Sequence, residues 1–205
     1  MVLLWAVVIG VLVGFLRRGS LAHLAQLRLR GLWLIVMALV IQVLIFPLGS
    51  AGPLVTVGTT WLHLTSYLFL LVFTGLNRRY PEILVMGAGL LLNLIAIAAN
   101  GGYMPASAEA LRQAGLAGVA AALEQGTRQG NIVLMGPKTR LNFLGDFLYL
   151  PAAVPLSSAF SIGDVVLAVG FVLLLARRMV RPRAGHGSPP PPNTNPDHRQ
   201  AQGPP

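Results

Sequence analysis

The chain contains no cysteine. That excludes disulfides, thiolate metal sites, iron–sulfur clusters and a cysteine nucleophile. Charge is also scarce: 10% of the 205 residues are Asp, Glu, Lys or Arg, where a soluble domain carries about 25%. Acid is scarcest of all, with six acidic against fifteen basic residues. The sequence holds no phosphate loop, no G-x-S-x-G elbow and no dinucleotide fingerprint. No metal site is expected, because His23 and His63 lie on different elements without ligand spacing. No cofactor is expected either.

What the chain has in quantity is apolar surface: 55% hydrophobic residues and a mean hydropathy of +0.70. These values predict an all-α, polytopic membrane helix bundle in contact with a lipid bilayer. A span needs about 20 apolar residues to cross about 30 Å of hydrocarbon. The first uncharged run, residues 1–16, is slightly short and ends at Arg17-Arg18. No positive charge precedes it and arginines follow it, so it reads as a span and not as a signal peptide. From Gly31 to Asn77 there is no charge, and Pro47-Leu48-Gly49-Ser50-Ala51-Gly52-Pro53 divides the run. The expected spans are 1–16, 31–48, 59–76, 83–99 and 160–176, within a single domain over 1–183.

With five spans the arginines sort by side. Arg17, Arg18, Arg28, Arg30, Arg78, Arg79, Arg177, Arg178, Arg181 and Arg183 fall on one side. Arg112, Arg128, Lys138 and Arg140 fall on the other. This is the positive-inside pattern, with the N-terminus outside and the C-terminus cytoplasmic. The net charge of +9 therefore encodes orientation, and no nucleic-acid partner is expected. His23 to Arg30 reads as a short basic segment at the cytoplasmic interface. Residues 184–205, with seven prolines and almost no aliphatic side chains, read as a disordered cytoplasmic tail. Five spans cannot form two equal inverted halves, which weakens a transporter reading.

The outer segment, 100–158, is the unusual part. Ser107 is a plausible N-cap with Glu109 in the first turn. Residues 108–125 place Leu111, Gly115, Val119 and Leu123 on one face, which predicts an amphipathic outer helix. Leu141 to Pro151 is strongly apolar but only about ten residues long, as in a short re-entrant segment.

Two aspartates stand in apolar surroundings on this side, Asp146 and Asp164, each after a glycine. From Asp164 to Arg177 is about 20 Å of helix against a core of about 30 Å, so with Arg177 near the cytoplasmic surface Asp164 is expected below the outer one, a difference that snorkelling by Arg177 or a thin bilayer would partly absorb. A carboxylate there costs a few kcal/mol unless it is paired, protonated or hydrated. A structural reading is available: Ser161-x-x-Asp164 fits a capping box, and Asp146 could pair with Arg140 or Lys138. A capping box does not explain the second acid. Two facing carboxylates that share a proton can activate water against a carbonyl, which is aspartic-peptidase chemistry.

Asn100-Gly101-Gly102-Tyr103-Met104-Pro105, Thr139 to Asp146, and Phe160-Ser161-Ile162-Gly163-Asp164 together resemble a bacterial multi-pass membrane family catalogued only as a domain of unknown function. The resemblance covers about residues 1–180 and implies an inner-membrane protein. A second, partial resemblance is to lipoprotein signal peptidase. Gly145-Asp146-Phe147 and Phe160-Ser161-Ile162-Gly163-Asp164 are similar to its two catalytic-aspartate motifs, and Asn100-Gly101-Gly102 to its Asn-x-Gly motif. The chain departs from that family at Ser161 (asparagine there), Gly163 (alanine there), Pro105 and the number of spans. It also lacks the Asn-x-x-Asp-Arg motif, and no full span separates Asn100 from Asp146.

Other polar residues on the spans are Gln42, His63, Tyr67 and Asn93, which either line a polar cavity or hydrogen-bond between helices. Gly10-x-x-x-Gly14 is a candidate helix-packing face. The leading expectation is a membrane-embedded hydrolase using Asp146 and Asp164, with Asn100, Gly102 and Ser161 as candidate contacts to a membrane-embedded or lipid-linked substrate. The alternative is a non-enzymatic binding, transport or assembly subunit in which these acids are structural.

Overall fold

The computed structural model describes residues 2–46 and 53–180. Most of the expected turn after the second apolar run, the proline-rich tail, Arg181 and Arg183 lie outside the described residues.

The chain is mostly helical. Five long helices, α1 (Val2–Leu16), α2 (Leu32–Ile45), α3 (Thr59–Leu76), α4 (Pro81–Ala99) and α7 (Ile162–Arg178), form a bundle, and two short ones, α5 (Ala108–Gln113) and α6 (Ala117–Glu124), lie between α4 and α7 in sequence. The long helices occupy the apolar runs and stop at local breakers. Pro81 opens α4 at its first turn, where its missing N–H leaves no orphan. At the other end Gly101 and Gly102, with φ of +68° and +93°, turn the chain away. α3 and α4 are long and apolar enough to cross a membrane, and α1 and α2 are shorter apolar helices. Large apolar side chains such as Leu12, Phe15, Trp33, Val36, Leu39 and Val169 stand exposed around the bundle.

α7 packs most closely against α4 and α1, and α2 against α3. Small residues permit this. A Cβ on Gly10 would lie 2.9 Å from Leu175 Cδ1, and one on Gly14 would lie 2.8 Å from Met179 Cε. The Gly10-x-x-x-Gly14 face is therefore a packing face, against α7.

The arginine-bearing helix ends gather at one end of the bundle. Arg17 donates to the Ala176 carbonyl (3.1 Å), and Arg79 donates to the Arg28 carbonyl. Asn77 accepts from the Arg30 N–H and donates to the Arg30 carbonyl, both at 2.8 Å. Glu82, 2% exposed, meets Arg177 at 3.5 Å and Arg178 at 2.9 Å. Arg178 also lies over the Tyr80 ring.

The opposite end is capped by residues 100–160, and here the structure corrects the sequence reading. The amphipathic helix expected over 108–125 is two helices. Ser107 does cap the first, accepting from Ala110 N. Gly115, however, adopts φ +76°, with Gly115 N bonded to Arg112 O and Leu116 N to Leu111 O. That is a Schellman stop, so Gly115 ends the helix and does not line its apolar face. The expected re-entrant segment at 141–151 is instead a 3-10 turn, Asn142–Leu144, followed by a strand.

An all-α expectation also misses four three-residue strands. β1 (Met104–Ala106) pairs parallel with β2 (Ile132–Leu134). β3 (Leu148–Leu150) pairs antiparallel with β4 (Ser158–Phe160), with Leu148 opposite Phe160. Pairing across the Pro151–Pro155 connection satisfies backbone groups that an isolated apolar dip would leave open. Beneath the cap, Ala96 and Ile97 of α4 pack with Met104 and Leu144.

Candidate carboxylate site

Asp164 stands at the third position of α7. Its N–H donates to Ser161 Oγ (2.9 Å), and its Oδ2 accepts from the Ser161 N–H (3.1 Å), closing the capping box. The other oxygen, Oδ1, accepts from Asn93 Nδ2 of α4 (2.8 Å). The Ser161 hydroxyl donates to Asn93 Oδ1 (2.7 Å). Both Asn93 and Ser161 are buried. Asp164 is thus held from two helices, and both its oxygens accept hydrogen bonds.

Close approach of α4 and α7 makes this possible. A Cβ on Gly163 would stand 2.7 Å from the Asn93 amide carbon and 2.8 Å from the Gly89 carbonyl oxygen. Glycine at 163, one of the departures from lipoprotein signal peptidase, is what lets Asn93 reach the start of α7. Tyr67 of α3 lies beside Asn93 and within electrostatic reach of both carboxylates.

Asp146 is placed by its backbone. Its N–H donates to the Pro105 carbonyl (2.8 Å), and its carbonyl accepts from the Ser107 N–H (2.9 Å), which fastens it to β1. The turn that delivers it starts at Leu141, a non-glycine residue at φ +54°, a conformation with an energetic cost. Asp146 Oδ1 is buried without a hydrogen-bond partner. Among the described residues it forms no ion pair, so the expected pairing with Arg140 or Lys138 is absent. Burial, reinforced by the nearby Asp164 charge, pushes the Asp146 carboxyl up to about 7. The two acids therefore differ. One has both oxygens engaged by N–H donors, and the other is half-buried, with its Oδ1 unpartnered and its carboxyl pushed up to about 7.

The other expected contacts divide. Ser161 belongs to the cluster. Asn100 is occupied elsewhere: its Nδ2 donates to the carbonyls of Ala96 and Arg140 (both 2.8 Å), and its Oδ1 accepts from the Arg140 N–H (2.7 Å). The Gly102 carbonyl accepts from His63 Nδ1 (2.7 Å). Both fasten the cap to the bundle. Gln42 donates to Ser66 between α2 and α3 (3.2 Å).

The sequence reading treats Asn93 and Tyr67 only as cavity or interhelix residues, and gives Glu82 and Asn77 no role. The signal for Asn93 is its isolation in the apolar run of α4. Its partner 71 residues away is not readable from the sequence.

These features define a mostly helical protein with two helices of membrane-crossing length and two aspartates, Asp146 and Asp164, beneath or within a small mixed cap. The chain belongs to DUF5317, a family of unknown function whose model matches residues 26–176. Both aspartates fall inside that match. No curated protein and no solved structure matches the chain. No match to lipoprotein signal peptidase is found.

Proposed function

We propose that this protein is a membrane-embedded hydrolase of the bacterial inner membrane, with Asp146 and Asp164 as an aspartic-peptidase-like pair at the outer face. In this reading α1, α2, α3, α4 and α7 all cross the bilayer, with the N-terminus outside and the C-terminus cytoplasmic. The exposed apolar belt and the gathering of arginines at one end support the placement.

The observation that carries the chemistry is the asymmetry of the pair. Asp146 retains a proton near neutral pH, while Asp164 is held as an acceptor by Asn93 and the Ser161 N–H. Asp164 takes a proton from a water held between the carboxyls, and the water oxygen bonds to the scissile carbonyl carbon. Asp146 gives its proton to the carbonyl oxygen. Collapse of the tetrahedral species returns that proton to Asp146, breaks the C–N bond and sends the Asp164 proton to the leaving amine.

The test is hydrolysis in ¹⁸O-water. Membranes holding the wild-type chain, Asp146→Asn or Asp164→Asn are compared for ¹⁸O in newly formed peptide carboxyl termini. Label that depends on both acids, at equal protein levels, is the expected result. Equal label in all three sinks the hydrolase. Sidedness has its own assay, since the chain has no native cysteine. Thr127→Cys is expected to react with an impermeant maleimide in intact cells, and Ser188→Cys only after lysis.

The capping box favours a second reading, a non-enzymatic binding, transport or assembly subunit in which Asp164 is a helix cap. That reading gives no account of an Asp146 whose buried Oδ1 has no partner.

A further inference from the structure

The cap holds a cleft of about 740 Å³ between α6, β2 and the 136–140 loop. Arg128, Lys138 and Arg140 line it, together with the apolar side chains of Leu123, Leu134 and Met135 and one acid, Glu124, which Arg112 neutralises. Its size is that of a small-molecule site.

The three cations have no acidic partner among the described residues. Glu109 and Glu124, the other acids of this segment, are both engaged by Arg112. Arg128 is held over the Tyr103 ring, 4.3 Å from its centroid. Arg140 is fixed through its backbone by Asn100. The loop carrying Lys138 is tied by Thr139 to Gly136 and Asn142 (2.9 and 2.7 Å). The charges are therefore set on an ordered frame.

Their side of the molecule makes the concentration unusual. Cations are depleted from outer segments by the positive-inside bias, yet three of the four on this side converge on one cleft. Ala99 and Asn100, at the end of α4, border it, which puts it at the depth where that helix leaves the bilayer and where lipid phosphates lie. Leu123, Leu134 and Met135 offer an apolar wall beside the charges.

We infer that this cleft binds a phosphate anion, presented by the headgroup of an acidic membrane lipid, through Arg128, Lys138 and Arg140. The inference rests on the membrane placement above and not on the carboxylate chemistry.

The full chain is reconstituted in phosphatidylcholine nanodiscs doped with phosphatidylglycerol, and bound lipid is counted by native mass spectrometry. A parallel arm titrates inorganic phosphate. Wild type is expected to retain phosphatidylglycerol selectively. R128Q/K138Q/R140Q should weaken that retention about 100-fold, three charges at about fivefold each. K138Q alone, an exposed change that leaves the fold intact, should weaken it about fivefold. Asp146→Asn should leave it unchanged, which separates this site from the hydrolase. Phosphate binding that the triple variant loses, without lipid selectivity, keeps the anion site and assigns it a soluble ligand. Equal binding by wild type, K138Q and the triple variant in both arms overturns the inference. A chain that stays outside the discs refutes the membrane placement, and the phosphate arm still reads the cleft.

Discussion

Replacing Asp146 by asparagine should make the protein more stable, but only at neutral and alkaline pH. Burial and the Asp164 charge raise this carboxyl from 3.8 to about 7 in the folded chain. Between those values the folded state holds more of this proton than the unfolded state does. Stability therefore falls as pH rises through the window. The difference of about three units corresponds to about 4 kcal/mol at 1.36 kcal/mol per unit. Asp146 is partly exposed, and solvent screening reduces the effect to about 2–3 kcal/mol.

An asparagine side chain cannot ionise, so Asp146→Asn removes this cost at pH 8 and changes little at pH 4. Unfolding in mixed micelles, followed by circular dichroism across pH 4–8, measures it directly. The expected result is near-equal stability at pH 4 and a variant about 2–3 kcal/mol more stable at pH 8. A gain independent of pH would mean that charge is not the cause. A variant less stable than wild type at pH 8 would mean that Asp146 has a partner stabilising its ionised form, and a strained acid would be excluded.

Three further outcomes follow from the same contacts. Asp164→Asn should lower the Asp146 midpoint below about 7, read from the carboxyl stretch in infrared titration; an unmoved midpoint would show that the two acids do not interact. Ser161→Ala removes the cap of α7 and the hydrogen bond to Asn93, and should cost about 1–2 kcal/mol in the same unfolding assay; no measurable loss would refute the role of the box. Gly14→Leu forces a side chain into Met179 and should cost about 1–3 kcal/mol; an unchanged melting midpoint would show that α1 and α7 are not packed there.

Local features are legible in the sequence and remote ones are not. The long helices follow uninterrupted apolar runs, and Ser107 and Ser161 cap helices as short-range patterns suggest. The Gly10-x-x-x-Gly14 face is legible for the same reason. Gly115 misleads because helical spacing puts it on an apolar face, while its left-handed φ depends on the carbonyls it closes. Strands of three residues carry too little periodicity to be seen, and β1 and β2 become strands only by meeting across 25 intervening residues. The acids at 146 and 164 stand out by their rarity in apolar surroundings. What distinguishes them, Asn93 on one and no partner on the other, depends on contacts across helices.

The grip of α4 on α7 at both ends has a mechanical consequence. At one end Asn93 holds Asp164 and Ser161, and at the other Glu82 holds Arg177 and Arg178. A rod clamped at two points about one helix length apart can neither slide like a piston nor swivel about its axis. Asp164 is therefore an anvil, fixed in depth and bearing. Asp146 hangs from a turn bounded by the Asn100–Arg140 tie and the β1 bridge, so any change in the gap between the carboxyls must come from that arm. The cleft with its three cations lies along the same arm. Asp146 is thus referenced to the cap, and Asp164 to the packing of two long helices.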